Sequence, residues 1–212
     1  MIKNNFPHQK INVKEKILTT WTPKTALGEH VKGELLANRE LTLESLLAQN
    51  CKILETEILE LLGPDMNYEI ASIDRVSHSV TSGKKYAFRV LVIGGNGKNI
   101  VTIGIGKDSV KKDAYMKAVK ACKNQLTYIK PRLDHRISIK TGATSVTVVP
   151  LSPGAGVVAS ARGLNYCRLA GLTDVRIATG SDGKLTKGRV KAAHNYYRSL
   201  HEAVKNVNNN KN

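Results

Sequence analysis

Cysteines and long apolar runs are scarce in this chain of 212 residues, and each scarcity excludes a class of protein. The three cysteines, Cys51, Cys122 and Cys167, are far apart, odd in number and outside any CxxC spacing, so we predict neither a disulfide framework nor a zinc site. No apolar segment approaches the ~20 residues that a membrane-spanning helix needs, and the first ten residues lack the apolar core of a signal peptide. We therefore expect no membrane partner and a protein that works in the cytosol or nucleus.

The motifs of common catalytic sites are missing as well. The chain has no Gly-x4-Gly-Lys-Ser/Thr phosphate-binding loop, because none of its Gly-Lys pairs is followed by Ser or Thr; the pairs at Gly106 and Gly183, for example, are followed by Asp108 and Leu185. Four histidines have neither a paired nucleophile nor the spacing of metal ligands: His78, His135, His194 and His201. We predict that the protein is not an enzyme and has no catalytic residue, no metal and no cofactor.

Acidic side chains are only half as frequent as basic ones. The chain contains 33 Lys and Arg against 17 Asp and Glu, which gives a net charge of +16 and a pI near 9.8. Because the excess is spread along the chain, the surface should be broadly basic and should attract polyanions by releasing their counterions. This balance predicts a nucleic-acid partner; a basic soluble protein without one is the alternative.

Residues Val76 to Gly106 predict three antiparallel strands, and the rest of the chain is organised around them. The middle run, Tyr86–Ile93, is apolar on both alternating faces except at Arg89, which is typical of a central strand with one charged projection. The turn at residues 94–99, GGNGKN, is rich in residues that accept positive φ. Ile100–Ile105 then resumes as the third strand.

Two features of this sheet suggest close contact with a partner. Gly104 and Gly106 lie where a side chain would keep a second backbone at a distance, and a nucleic acid is one candidate for that backbone. The first strand is predicted over Tyr68–Val80, and the loop Thr81–Lys85 that follows it ends in two adjacent lysines. This loop is interpreted either as a probe into an RNA groove or as a solvated hairpin tip.

A helix is predicted from Ser109 to Leu126, because small and apolar side chains recur on one of its faces. Five lysines occupy its other faces against the single carboxylate of Asp113, which favours a surface that follows phosphates; a solvated helix face is the alternative. The helix, the sheet and its loops supply the predicted RNA contacts: Lys84, Lys85, Arg89, Lys98, Lys107, Lys111 and Lys112.

The flanking segments differ in character from this central region. Short helices are predicted from Thr42 and over Glu55–Leu62, and Trp21, the only Trp, is interpreted as the packing anchor of an extended segment. A basic linker at Tyr128–Arg132 marks a domain boundary near residue 130. The predicted divisions are an N-terminal extension at 1–67, a domain at 68–130, a second domain at 131–205 and a disordered tail at 206–212.

The second half alternates strands and helices, which predicts βαβ-type connectivity in an α+β layer. The predicted strands are Arg136–Lys140, Ser145–Pro150, Val157–Ser160 and Asp174–Thr179, and the predicted helices are Gly163–Ala170 and Thr186 to about Val204.

Four motifs, in order along the chain, resemble the universal small-subunit ribosomal protein five family, whose eukaryotic member is called small-subunit protein two. Trp21–Gly28 is similar to the entry segment of eukaryotic members. Within Phe88–Gly106, Gly95–Gly97 and Val101–Gly104 are similar to the family's glycine-rich turn and Val-Gly-aromatic-Gly strand. Pro150–Val158 resembles the family's Pro-x-x-x-Gly-Thr-Gly-Ile-Ile loop, and Leu169–Leu172 a Val-Ala-Gly-Val/Ile helix end. Thr102 stands at a usual glycine position. The resemblance, with the absence of an Arg-Gly-rich extension, suggests a divergent and compact eukaryotic member.

The resemblance implies an α+β fold with a double-stranded-RNA-binding-like N-terminal domain and the family's α/β C-terminal domain. It implies a structural constituent of the small ribosomal subunit that binds ribosomal RNA near the channel through which mRNA enters and supports translation and decoding fidelity. It further implies contact with small-subunit protein four, and a location in cytoplasmic ribosomes and, during assembly, in the nucleolus. The family's RNA-reaching hairpin loop falls on Val80–Lys84, where Thr81 and Ser82 depart from its pattern. For the protein interface, small residues that allow close approach favour Gly154, Gly156, Val157 and Val158.

Two other functions are compatible with parts of the sequence. The Pro150 loop also resembles the phosphate-binding loop of small-molecule kinases on a related fold, although that loop's Ser-Ser is Val157-Val158 in this chain. A free-standing double-stranded-RNA-binding protein would use only residues 68–126. Co-sedimentation with small subunits distinguishes such a regulator from a ribosomal protein.

Overall fold

The computed structural model describes residues 20–37, 43–48, 53, 55–63, 66–179 and 192–209. The chain forms two compact units, Met1–Pro64 and Asp65–Asn212. No described helix is long and apolar enough to cross a membrane. Among the described residues there is also no cluster of His, Cys, Asp and Glu that could hold a metal ion.

The described residues of the first unit form three helices, α1 (Ala26–Leu36), α2 (Leu43–Ala48) and α3 (Thr56–Leu62). The two helices predicted from sequence are therefore present, although the predicted cap Thr42 lies outside the described residues. Thr25 caps α1, since its side chain accepts a hydrogen bond from the backbone N–H of Gly28 at 3.1 Å.

Trp21 is the anchor of this unit, as the sequence predicted. Its side chain is 7% exposed, and its indole N–H donates to a carboxylate oxygen of Glu55 at 2.8 Å. The other oxygen of Glu55 accepts from the backbone N–H and hydroxyl of Thr25 and from the backbone N–H of Lys24. Burial raises the pKa of Glu55, but these hydrogen bonds to the ionised form outweigh it and hold the pKa below its ordinary value of 4.5.

The first sheet of the second unit contains the predicted three strands and a short fourth one. Their order is β1 (Asn67–Val80), β2 (Gly83–Gly95), β3 (Ile100–Asp108) and β4 (Thr127–Tyr128), and all neighbours are antiparallel. The predicted helix is α4 (Lys111–Asn124), which packs on β2 and β3.

Two glycines of β3 explain how closely α4 approaches the sheet. A Cβ atom at Gly104 would overlap the carbonyl oxygen of Ala118, and one at Gly106 would overlap that of Ala114. The second backbone that these glycines admit is therefore the helix itself, and the suggestion of a nucleic acid at this place is wrong.

The second sheet has the order β5 (Ile137–Thr141), β6 (Thr144–Pro150) and β7 (Val175–Thr179), and helix α5 (Ala161–Ala170) precedes β7. The strands β6 and β7 are antiparallel. The segment after β6 reverses direction and runs parallel to β7, with α5 between them, so the predicted βαβ connectivity is present only in this short form. The strand predicted at Val157–Ser160 is reduced there to one parallel bridge, between Val158 and Arg176.

The last helix, α6, spans Ala193–Asn209. The start predicted at Thr186 lies outside the described residues. Disorder was predicted for residues 206–212, and the first four of these residues belong to α6.

Both faces of β2 are covered, as expected of a central strand. On the face toward α4, Val90 and Val92 pack with Ala114, Ala118 and Cys122. On the opposite face lies the main core, which joins both sheets to α5 and α6 and includes the fully buried side chains Leu91, Ile93, Val148, Tyr166, Tyr197 and Leu200. The mixed α+β fold class is confirmed; the division into separate domains near residue 130 stays a prediction.

Candidate nucleic-acid interface

The candidate interface is built on the part of the β1–β2 hairpin that extends beyond both cores. The ladder between the two strands continues to the pair Val80 and Gly83, with Thr81 and Ser82 as the turn. Side chains become exposed toward this end, and every residue from Thr81 to Tyr86 is exposed. The hairpin therefore presents backbone and side chains on a projecting ribbon.

Register assigns each side chain to one of two faces, because directly opposed residues of an antiparallel pair project to the same side. We call the side on which α4 packs the helix face and the other side the core face. The helix face of the hairpin carries Arg75, Ser77, Lys84, Tyr86 and Phe88, and the core face carries Asp74, His78, Lys85, Arg89 and Lys107.

Six of the seven predicted RNA contacts lie near this end of the sheet. Lys84 and Lys85 flank the tip on opposite faces, and Arg89 and Lys107 are opposed residues on the core face. Lys111 and Lys112 form the start of α4, and the ammonium of Lys111 lies 5.1 Å from the ring centroid of Phe88. All of these lysines are exposed.

Arg89 is less free than the lysines around it. Its guanidinium donates to Asp74 at 3.3 Å, and its Nε atom is buried without a hydrogen-bond partner. Both side chains of the ion pair are about two-fifths exposed, at 39% and 41%, so the pair adds little stability. Asp74 nevertheless partly neutralises the positive charge of Arg89, for which the sequence predicted a contact with phosphate.

Lys98 lies apart from the other six. It belongs to the turn between β2 and β3, roughly 35 Å from Lys84 along β2 if the strand rises about 3.3 Å per residue. The side chain of Asn96 organises this turn by accepting from the backbone N–H groups of Lys98, Asn99 and Ile100. Lys98 is exposed, so it remains accessible to a separate stretch of a partner.

The glycine turn and the end of α5, both singled out from sequence, meet in the structure. The backbone N–H of Gly97 donates to the carbonyl of Leu169 at 2.9 Å. Gly171 ends α5 with a φ of +70°, and a Cβ atom there would overlap the carbonyl oxygen of Lys98. Two motifs more than 70 residues apart in sequence thus form one joint between the two sheets.

Sequence reasoning missed one pair on the helix face. The guanidinium carbon of Arg75 lies 3.8 Å from the ring centroid of Tyr86, and both side chains are exposed. A count of lysines gives no signal for this contact. The hairpin register set by the turn at Thr81 and Ser82 would have given one, because it places Arg75 diagonally opposite Tyr86.

The residues predicted for a protein interface form an exposed loop. Gly154 and Gly156 have φ values of +85° and +72°, and nothing lies within 4 Å of a Cβ atom built on either. Their glycine identity is therefore required by backbone conformation rather than by packing within this chain. Val157 is half-buried, and Val158 is 46% exposed.

The helix that follows this loop is capped by a side chain of the chain itself. Helix α5 begins five residues after Gly156, and the side chain of Ser160 caps it by accepting from the N–H of Gly163 at 3.4 Å. One N–H of the helix start is thus already satisfied by the chain itself.

A family model and individual proteins of known identity match this chain. The family model described as Ribosomal protein S5, N-terminal domain, matches residues 66–130. The small ribosomal subunit protein uS5 of Pyrobaculum islandicum is 32% identical over 197 residues, which cover 87% of this chain and 96% of that protein. The uS5 proteins of Metallosphaera sedula and Methanothermobacter thermautotrophicus are 29% and 28% identical, over 88% of this chain and 90% and 88% of their own lengths.

Proposed function

This chain belongs to the uS5 family of small ribosomal subunit proteins, and from that premise we propose that it is a structural constituent of the small ribosomal subunit that binds ribosomal RNA. The observation that carries the proposal is the 32% identity to a uS5 protein over 96% of that relative. A match over almost the whole of a relative includes the second sheet as well as the first.

The distribution of charge supports contact with RNA through phosphates. The hairpin end of the first sheet exposes Lys84, Lys85, Lys107, Lys111 and Lys112, whereas two neighbouring carboxylates are already paired. Asp74 accepts from Arg89, and Asp108 pairs with Lys117. Since the net charge of the chain is +16, counterion release is expected to dominate the affinity and to make it salt-dependent.

The finer placement in the subunit is part of the proposal. The protein lies near the channel through which mRNA enters and supports decoding fidelity, and the loop with Gly154, Gly156, Val157 and Val158 contacts the neighbouring protein four. It works in cytoplasmic ribosomes and passes through the nucleolus during assembly. These assignments rest on the family pattern and on the exposure of that loop.

The two other functions gain no support from the fold. A free double-stranded-RNA-binding protein limited to residues 68–126 leaves the second sheet and its shared core without a role. The kinase-like pattern requires a Ser-Ser pair after Gly156, and this chain has Val157 and Val158 there. We expect the protein to have no catalytic activity, as a structural ribosomal protein.

Sucrose-gradient sedimentation tests the proposal. Tagged protein, expressed in the cell that normally makes it, should co-sediment with small subunits in Mg²⁺ at one copy per subunit and remain there in moderate salt. Protein that leaves the small-subunit peak in moderate salt, or that spreads through the light fractions without fixed stoichiometry, would contradict the proposal and favour a free RNA-binding protein.

A further inference from the structure

The stacked pair Arg75 and Tyr86 is an exposed feature that phosphate binding does not explain. The guanidinium carbon lies 3.8 Å from the centre of the phenol ring, a separation typical of planar stacking. Tyr86 is 50% exposed, and Arg75 is exposed as well. The pair therefore presents flat, polarisable surface to solvent rather than filling a core.

Cations surround this pair on the same face of the hairpin. Lys84 is two residues from Tyr86 along β2 and projects to the helix face. Beyond Tyr86, Phe88 carries the ammonium of Lys111 over its ring. The nearest carboxylate in this row of the sheet, Asp108, is held by Lys117. The helix face of the hairpin thus alternates flat groups with positive charge.

This combination matches the chemistry of an unpaired nucleotide. Proteins bind single-stranded RNA by stacking bases on aromatic rings and Arg planes while nearby cations contact the phosphates. A base inside an A-form duplex has both faces covered by its neighbours, so it cannot use such a platform. The exposed hydroxyls of Ser77 and Ser79, on the same face, can hydrogen-bond base edges.

We propose that Arg75 and Tyr86 form a stacking platform for one unpaired base of an RNA strand, with Lys84 and Lys111 on its flanking phosphates. The inference rests on the proposed function, because it specifies which kind of RNA this hairpin face binds. It differs from the phosphate contacts of the core face, which any duplex could satisfy.

Fluorescence of 2-aminopurine tests the platform in the full chain. The probe is a short single-stranded RNA with one 2-aminopurine, compared with the same strand annealed to its complement. Stacking should quench the single-stranded probe on binding, and the duplex should show no comparable change. Tyr86→Ala should weaken binding of the single strand on the order of tenfold and abolish the quench.

Two conservative variants separate stacking from charge and from folding. Tyr86→Phe keeps the ring and should keep both the affinity and the quench, whereas Arg75→Lys keeps the charge but loses the plane and should lose the quench. Arg136→Lys, at an exposed arginine outside the hairpin, is the matched control and should bind as the wild type. Unfolding curves establish that each variant is folded.

The proposal is overturned if Arg75→Lys and folded Tyr86→Ala bind and quench the single strand as the wild type does. It is also overturned if the duplex is bound more tightly than the single strand and the fluorescence of the single-stranded probe is not quenched. Either result can occur while the protein still co-sediments with small subunits, so failure of the platform and failure of the ribosomal assignment are distinguishable.

Discussion

Thr102 shows at the residue scale how a departure from a glycine position is accommodated. Its hydroxyl is buried and lies 2.8 Å from the carbonyl oxygens of Cys122 and Gln125, at the end of α4. The last carbonyls of a helix have no partner within the helix. From its place in β3, Thr102 therefore offers a hydrogen-bond donor to the carbonyls at the end of α4. This contact fixes the position of the helix along the strand.

Thr102→Val should lower the free energy of unfolding by roughly 1–3 kcal/mol, because it keeps the shape but removes the hydroxyl that donates toward the carbonyls of Cys122 and Gln125. Urea unfolding followed by far-UV circular dichroism measures the change. Thr102→Ser keeps the hydroxyl and should lose less. Equal stability of the Val variant and the wild type would show that the hydroxyl does not support the helix end.

Glu55 should make the first unit sensitive to acid. Its pKa in the folded protein lies below the ordinary value of 4.5, so its stabilising effect is complete above about pH 4.5 and is lost as the pH falls through the lower folded value. Fluorescence of Trp21, the only Trp, reports unfolding of this unit. Glu55→Gln should destabilise it by roughly 1–2 kcal/mol at pH 7 and remove most of the acid dependence; an unchanged pH profile would contradict this role.

His201 should give the second unit a different pH dependence. It lies between the hydroxyls of Tyr166 and Thr127, at 3.1 and 3.2 Å. Burial, with a smaller effect of Lys205, lowers its pKa from 6.5 to about 4. Because the unfolded chain then binds more protons between these values, stability is complete above pH 6.5 and is lost as the pH falls toward 4.

The expected loss from His201 is about 2 kcal/mol between pH 7 and pH 5, since one pKa unit corresponds to about 1.4 kcal/mol. Urea unfolding at the two pH values measures it, and His201→Gln should remove that part of the difference. If wild type and variant lose the same stability over this range, His201 is not the group that titrates.

At the scale of elements, alternation and glycine placement predicted the first sheet almost completely. The strands around Tyr86–Ile93 and the lysine-rich helix occur where the sequence indicated, because local burial patterns fix them. The direction of β7 relative to β6 could not be predicted in this way. It depends on the loop after Pro150, which runs beside β7 and contacts it through the bridge between Val158 and Arg176. Such a contact between distant residues leaves no periodic pattern in the local sequence.

Gly106→Ala should disrupt the packing of α4 on β3. The new Cβ atom would overlap the carbonyl of Ala114 and lie 2.5 Å from the backbone nitrogen of Ala118. The free energy of unfolding should therefore fall by about 1–3 kcal/mol or more. Urea unfolding of the second unit measures the loss.

Gly33→Ala is the matched control for this variant. Gly33 lies in α1, and nothing lies within 4 Å of a Cβ atom built on it. The free energy of unfolding of the first unit, measured by Trp21 fluorescence, should therefore rise by about 0.5–1 kcal/mol. A Gly106→Ala protein as stable as the wild type would mean that α4 can move away from the sheet without cost.

At the scale of the whole molecule, net charge and family motifs predicted the class of partner but not the shape of the surface. The sequence identified Lys84, Lys85 and Lys111 as cations near one another. It could not show that Asp74 partly neutralises Arg89, or that Lys98 lies at the far end of β2. Both depend on strand register, which is a property of the folded sheet.

The salt dependence of RNA binding should report the hairpin lysines. The double variant Lys84→Ala and Lys85→Ala should lower the slope of log affinity against log salt by about 2 for a fragment of ribosomal RNA, since each lost phosphate contact removes about 0.9. Fluorescence anisotropy over a salt series measures it. A matched double variant at Lys140 and Lys205, both exposed, should keep the slope, and an unchanged slope in the hairpin variant would refute the contacts.

Lysine footprinting of the assembled particle tests the central claim most directly. Small subunits that contain the protein, and the protein alone, are treated briefly with an amine-reactive acetylating reagent and compared by mass spectrometry. The proposed function predicts that Lys84, Lys85, Lys107, Lys111 and Lys112 become protected in the subunit and regain reactivity after nuclease digestion. Equal reactivity of these five lysines in the free and assembled protein would contradict it.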